Sequence, residues 1–249
     1  MFDALFTTTT EYKKLSHALS GKGACALFGL PASGRAQVYA ALCRQLDKPL
    51  CIVTPGEAEA TRFAADLNTL GIPAAVFPAR DYVLRPIEGT AREYEYRRLA
   101  VLGELVGGRL CAVAVPAEAL TQFTTPKEDF CANTRTLHAG DTLLRDDLLA
   151  ALFGAGYTRR AQVDGPGQFS VRGDIVDIFA PDQKMPVRME FWGDEIDTLH
   201  TFDLTTQRRE DAIDKFYLSP AREVLFGKPA DAAEQLRAFL AKQRGKKKT

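Results

Sequence analysis

The chain has 249 residues, which is enough for one large domain or two smaller ones. Its 46% hydrophobic and 26% charged residues are typical of a folded globular protein and argue against a disordered chain. The 32 basic residues are balanced by 32 acidic residues. This balance weighs against a protein that mainly coats nucleic acid or an anionic membrane, because such proteins carry a basic excess.

The sequence predicts a cytoplasmic protein without a membrane segment, a metal or a cofactor. Its apolar runs, such as residues 111–115, are far shorter than the roughly 20 residues of a spanning helix. The N-terminus has no basic segment followed by an apolar core, so we expect no signal peptide. The cysteines and histidines show no metal-ligand spacing, and the cysteines are predicted to be small buried residues in a reducing compartment. These residues are Cys25, Cys43, Cys51, Cys111 and Cys131, with His17, His138 and His200.

The first half of the chain alternates predicted strands and helices. In chain order these are a strand at 24–28, a loop at 29–34, a helix at 35–46, a strand at 50–53, a helix at 57–70, a strand at 74–77, a helix at 91–105 and a strand at 110–115. Strands separated by helices of this length predict βαβ units and a parallel sheet with both faces covered.

The second half predicts one helix and a small antiparallel sheet. The helix is expected at 145–153, and the strands at 157–163, 168–172, 175–179, 187–192 and 196–202. Val187, Met189 and Phe191 alternate with charged residues, which is the period of a sheet with one solvated face. Gly193 and Asp194 predict a two-residue hairpin turn. The alternation slips at 173–176, which predicts a bulge or a kink.

The predicted domains are an α/β domain at 1–120, an antiparallel α+β domain at 121–219, and a helical return to the first domain with a basic tail at 220–249. The segment 124–129 is rich in Thr, Pro and charged residues and is predicted to be a linker.

A loop in the first domain looks like a degenerate phosphate site. The sequence GLPASGRA at 29–36 lies where a P-loop belongs, and Gly29 and Gly34 supply the flexible backbone. Arg35 replaces the lysine, and its planar fork is not equivalent to an ammonium group. Ala36 has no hydroxyl for magnesium. We therefore expect no nucleotide site, and the alternative is a nucleotide site with altered chemistry.

The second domain resembles a known family. The run AGYTRRAQVDGPGQFSVRGDIVDIFAP at 155–181, with PVRMEFWGDEIDTLHTFDLTTQRR at 186–209, resembles a module shared by bacterial transcription-repair coupling factor and the excinuclease protein UvrB. The first half resembles the preceding domain of that module, which implies a degenerate P-loop helicase-like α/β fold. The degenerate loop and the short segment at 77–99, too short for the DNA-clamping hairpin of UvrB, favour the UvrB-homology module of the coupling factor.

The resemblance implies binding to the excinuclease protein UvrA. Family arginines on that surface correspond to Arg159 and Arg172, and Phe169 is expected nearby. A third family arginine is replaced by Ser170. Because Ser170, Arg172 and Asp174 alternate with apolar neighbours, Arg172 is expected to point away from the core. Without the resemblance, both arginines would be interpreted as solvated surface residues paired with nearby carboxylates.

Three functions are compatible with these features. The first is a non-catalytic adaptor that binds UvrA and recruits nucleotide excision repair to stalled RNA polymerase, with polymerase and DNA contacted only through regions outside these residues. The second is an ATP-dependent DNA damage-recognition protein like UvrB. The third is an intramolecular role, in which the module covers its own binding surface in a longer protein.

Overall fold

The computed structural model describes residues 7–21, 24–46, 48–80, 92–225, 234 and 237. The chain divides into two compact units, residues 1–123 and 124–249. It combines a parallel sheet in the first unit with a mainly antiparallel sheet in the second, as the mixed α/β prediction requires.

The first unit contains a three-stranded parallel sheet with the strand order β1-β3-β2. Its elements are α1 (Thr10–Ser20), α2 (Ala32–Gln45), β1 (Leu50–Thr54), α3 (Glu57–Thr69), β2 (Ala74–Val76), α4 (Glu93–Val106), β3 (Ala112–Pro116) and α5 (Ala117–Leu120). Every residue of the central strand β3 is buried. Ala112 and Ala114 pack in one apolar cluster with Phe63, whereas Val113 and Val115 belong to a second cluster. Both faces of β3 are therefore covered, as predicted for a βαβ sheet.

The predicted strand at 24–28 is not formed. These residues make no strand, and Leu27 and Phe28 are 45% and 88% exposed. Gly29 follows with φ of 82° and redirects the chain, and the edge strand β1 pairs only with β3 among the described residues. A short apolar run does not by itself specify a strand, because a strand also needs a pairing partner.

The cysteines are less buried than predicted, although all are free thiols. Cys43 is buried, and burial raises its pKa to about 11. Cys25 lies in the unpaired segment, and Cys51 lies on the outer side of the edge strand. Three cysteines are exposed: Cys25, Cys51 and Cys131. The prediction of five buried cysteines is therefore wrong. Cys25 and Cys51 are exposed because no strand forms at 24–28 beside the edge strand, and Cys131 lies on an exposed side of α6 in the second unit.

The second unit contains a six-stranded sheet with the order β10-β9-β8-β7-β6-β5 and a separate β4–β11 pair. Its elements are α6 (Lys127–Ala132), β4 (Arg135–His138), α7 (Arg145–Gly154), β5 (Thr158–Arg159), β6 (Gln168–Arg172), β7 (Ile175–Phe179), β8 (Val187–Trp192), β9 (Glu195–Phe202), β10 (Arg209–Ala212) and β11 (Lys215–Leu218). All neighbouring strands are antiparallel except β5 and β6.

One face of the six-stranded sheet forms the core of the second unit. Val187, Met189 and Phe191 of β8 are buried there, which confirms the predicted alternation. Leu148 and Leu152 of α7 are fully buried in the same apolar cluster. The opposite face carries most of the polar and charged side chains of the sheet, together with a smaller buried apolar cluster of Val163, Phe179 and Phe202. This face is called the polar face below.

Two tight turns connect the central strands. Gly193 has φ of 63° and Trp192 pairs with Glu195, which confirms the predicted hairpin turn. Arg172 pairs with Ile175, so the slip in alternation at 173–176 is a second hairpin turn and not a bulge. Gly173 has φ of 60°, which a glycine adopts without strain.

The end of the described chain packs within the second unit. The Ala221 amide donates to the Ala155 carbonyl at 2.8 Å, and Ala221 is buried in the apolar cluster. Residues beyond Leu225 lie outside the described part, apart from Glu234 and Arg237. The expected return of 220–249 to the first unit therefore stays a prediction.

The segment joining the units is shorter than the predicted linker. Thr125 is buried and donates to the Glu223 carbonyl, and α6 begins at Lys127. Phe123, at the division, is 93% exposed. We therefore expect limited chymotrypsin digestion to cleave first after Phe123 and to give two fragments of nearly equal length. Mass spectrometry of the fragments checks this. Retention of that first cut in a Phe123→Ala variant would contradict it.

Candidate partner-binding surface

The polar face of the six-stranded sheet carries a row of side chains across four strands. The strand register places Ser170 opposite Asp177, Asp177 opposite Arg188, and Arg188 opposite His200. In the adjacent row, Arg172 lies opposite Ile175, and Ile175 opposite Glu190. Side chains at paired positions point to the same side of a sheet, so these groups share the polar face, on which Ser170 and Asp177 are buried and Arg172 is exposed.

A buried ion pair anchors the centre of this surface. Both carboxylate oxygens of Asp177 accept hydrogen bonds from Arg188, at 2.7 Å from Nε and 2.9 Å from an Nη atom. Asp177 is 1% exposed, and the Arg188 guanidinium lies 4.8 Å from the centre of the Phe202 ring. The hydrogen bonds to Asp177 raise the pKa of Arg188 above its ordinary value. This bidentate geometry fixes both side chains.

Arg172 points outward from this pair, as the alternation predicts. Its side chain is 53% exposed and lies 3.7 Å from an Asp177 oxygen. That carboxylate is already bound on both oxygens by Arg188. The two arginines therefore share one carboxylate. Its single negative charge cannot neutralise both, so Arg172, the exposed arginine, keeps a positive charge that is available to a partner.

Arg159 does not share this face. Its strand β5 is at the edge of the sheet and runs parallel to β6, with Arg159 paired with Phe169. Phe169 points into the core, so Arg159 projects on the side opposite to Arg172 and is exposed. A partner that contacts both arginines must therefore bind around the β5 edge of the sheet.

The expectation that Phe169 contributes to the surface is wrong. Its side chain is 0% exposed and belongs to the core cluster. Phe153 packs edge-on against it with ring centroids 5.2 Å apart. Ser170 is also buried, at 1% exposed, and its hydroxyl has no hydrogen-bond partner among the described residues.

Trp192 is an exposed aromatic residue on the polar face that the sequence interpretation did not single out. Its side chain is 80% exposed although it ends a central strand of the sheet. The alternation in β8 puts Phe191 in the core and Glu190 on the polar face. Continued by one residue, this alternation predicts from the sequence that Trp192 lies on the polar face.

The loop at 29–36 does not have the geometry of a phosphate cradle. Helix α2 begins at Ala32, so Gly34, Arg35 and Ala36 already lie inside it. The Arg35 amide donates to the Pro31 carbonyl at 3.0 Å and is not free to bind phosphate. Ala36 is buried at 3% exposed.

We expect this chain to show no ATP binding in a calorimetric titration with ATP and magnesium. Ala36 cannot ligate the metal, and the Arg35 amide is already used within the helix. A dissociation constant in the low micromolar range, worth about −8 kcal/mol, would contradict this expectation and support a nucleotide-dependent function.

The described residues contain no helix long and apolar enough to cross a membrane. Within the same part of the chain, no group of three or more His, Cys, Asp or Glu side chains is arranged to hold a metal ion.

The second unit matches a known domain family, and similarity to known proteins covers most of the chain. Residues 136–224 match the UvrB interaction domain. The transcription-repair-coupling factor of Myxococcus xanthus is 35% identical over 208 residues, which are 79% of this chain and 17% of that protein. The corresponding factor of Bacillus subtilis is 28% identical over 212 residues, which are 84% of this chain and 18% of that protein.

A protein of the related repair system is also similar. The UvrABC system protein B of Chlorobium limicola is 29% identical over 231 residues, which are 86% of this chain and 33% of that protein. This chain thus spans less than a fifth of the two coupling factors and a third of the UvrABC protein. The chain therefore contains a UvrB interaction domain and, over about four fifths of its length, is homologous to the transcription-repair-coupling factors, the family that the resemblance predicts.

Proposed function

We propose that this chain is a non-catalytic adaptor that binds the excinuclease protein UvrA. Through this contact it brings nucleotide excision repair to stalled RNA polymerase in the cytoplasm. Polymerase and DNA are contacted through regions outside these residues. The observation that carries the proposal is the match of residues 136–224 to the UvrB interaction domain. The resemblance assigns the family's arginine positions to Arg159 and Arg172.

The charges of the polar face support a protein partner with an acidic surface. Arg172 is more than half exposed and shares the Asp177 carboxylate with Arg188. Arg159 is exposed at the edge of the same sheet. Arginine is enriched among residues that anchor interfaces, and complementary charge directs the choice of partner.

The similarity to UvrABC system protein B favours a second candidate, an ATP-dependent damage-recognition function. Arg35 and Ala36 weigh against it, because the lysine and hydroxyl of a phosphate loop are missing. The ATP titration described above discriminates between the two candidates.

A competition experiment tests the proposal. We expect the purified chain to bind UvrA, and we expect excess UvrB to displace it, because both carry the same kind of domain. Fluorescence anisotropy of the chain, labelled at its N-terminal amine, reports both steps. Excess serum albumin is the control for nonspecific displacement.

Two results would contradict the proposal. The first is no detectable complex with UvrA at concentrations of tens of micromolar. The second is undiminished anisotropy of the labelled chain at saturating UvrB, since two copies of one kind of domain cannot occupy the same site at once.

A further inference from the structure

Trp192 is the sole tryptophan of the sequence and lies in an unusual place. It ends β8, which is flanked on both sides by hydrogen-bonded strands, and its side chain is 80% exposed. A tryptophan side chain has only two rotatable bonds, so an indole carried by a central strand loses little conformational freedom when a partner covers it. Tryptophan and arginine are also the residues that most often dominate binding energy.

The strand register places Trp192 on the same face as Arg172. Phe191 is in the core, so Trp192 points to the polar side with Arg188 and Glu190. The Phe191 amide donates to the Asp174 carbonyl at 2.9 Å, which holds this end of β8 beside the turn that follows Arg172. With strands about 4.8 Å apart, the backbones of Trp192 and Arg172 are roughly 12 Å apart, within one interface.

The charges on this face indicate where an acidic group of the partner would bind. Asp177 is bound by Arg188, and Glu190 is bound by Arg209, so each of these carboxylates has its own arginine. Arg172 is the arginine of this group that has no carboxylate of its own, since it shares Asp177 with Arg188. Beyond Trp192 the hairpin turn exposes Asp194 and Glu195, which repel an acidic group.

We propose that Trp192 and Arg172 form a two-point anchor for UvrA, whose surface offers an apolar recess for the indole and a carboxylate for Arg172. This inference rests on the proposed function. It adds Trp192 to the contact on the polar face of the sheet, and Arg159, on the opposite side, remains a separate contact at the β5 edge.

Substitutions at Trp192 test the anchor in titrations with UvrA. Trp192→Ala is expected to weaken binding about 30-fold, the effect of removing an interface anchor. Trp192→Phe is expected to retain most of the affinity, because it keeps an aromatic ring in the recess. Phe28→Ala is the matched control, since Phe28 is 88% exposed but lies in the first unit. Thermal melts of all variants are expected to match the wild type.

A second measurement reports the burial of Trp192 directly. The chain is labelled with 5-hydroxytryptophan, which can be excited apart from the tryptophans of the partner and reports on position 192 alone. Acrylamide quenching is expected to fall severalfold when UvrA is added.

The outcomes separate this inference from the proposed function. If the wild-type chain does not bind UvrA, both are wrong. If it binds and Arg172→Ala weakens the complex, but Trp192→Ala binds normally and quenching is unchanged, the proposed function stands and the anchor is overturned. Weak binding by Trp192→Ala together with reduced quenching in the wild-type complex supports the anchor.

Discussion

Replacing Asp177 with alanine is expected to lower the free energy of unfolding by about 3–5 kcal/mol. Arg188, whose side chain is 13% exposed, would lose both of its carboxylate hydrogen bonds and keep its charge in a largely buried position. A loss of this size is a large part of the roughly 5–15 kcal/mol that stabilises a typical domain. We expect the melting temperature of the second unit to fall by about 10 °C or more, measured by circular dichroism.

Two further variants separate the buried pair from a general effect of losing a carboxylate. Asp194→Ala, in the exposed hairpin turn, is the matched control and is expected to change stability by less than about 0.5 kcal/mol. The double change Asp177→Leu with Arg188→Met removes both charges and is expected to be less destabilising than Asp177→Ala. An Asp177→Ala protein that melts like Asp194→Ala would show that the pair does not stabilise the sheet.

The double change Arg159→Ala with Arg172→Ala is expected to weaken binding to UvrA about a thousandfold. Each truncated anchor costs about 2 kcal/mol, or about 30-fold. The two side chains lie on opposite sides of the sheet, so their effects are expected to add. Binding by the wild type is expected to weaken with added salt, because exposed charges are screened within about 8 Å at physiological ionic strength.

The control for the double variant is Arg62→Ala, an exposed arginine in the first unit. It is expected to bind nearly as well as the wild type. The double variant is expected to keep its stability within about 0.5 kcal/mol, since Arg172 is more than half exposed, its 3.7 Å contact with Asp177 is long, and Asp177 keeps both hydrogen bonds from Arg188. Full affinity in a folded double variant would reject the arginine assignment, and a collapsed melt would show that the arginines are structural.

The second sheet was largely predictable because local signals agreed there. The alternation at 187–191 placed Val187, Met189 and Phe191 in the core, and Gly193 marked the hairpin turn. The alternation in β6 likewise places Phe169 on the core face and Arg172 on the opposite face. The burial of Phe169 was therefore predictable from the sequence, and the expected role of Phe169 at the surface conflicted with that alternation.

Features that depend on contacts distant in sequence were not predictable. The segment 24–28 is apolar enough for a strand, but only the folded chain shows that no strand pairs with it among the residues described. The side of the sheet that Arg159 faces depends on the parallel pairing of β5 with β6, which short-range patterns do not specify.

Arg98 is a further example from the first unit. Arg98 is fully buried, donates a hydrogen bond to the Pro78 carbonyl at 2.8 Å, and has its guanidinium 4.1 Å from the centre of the Phe77 ring. Its position in a helical pattern of the sequence gives no sign of this burial. Such a position is determined by tertiary packing.

Hydrogen–deuterium exchange of the chain with and without UvrA tests the central claim most directly. We predict that the partner slows exchange at the β5 edge and in the turns at 173–174 and 193–194, which carry or adjoin Arg159, Arg172 and Trp192. Exchange in the first unit, residues 7–116, is predicted to stay unchanged. Protection confined to the first unit, or no protection at saturating UvrA, would contradict the proposed adaptor function.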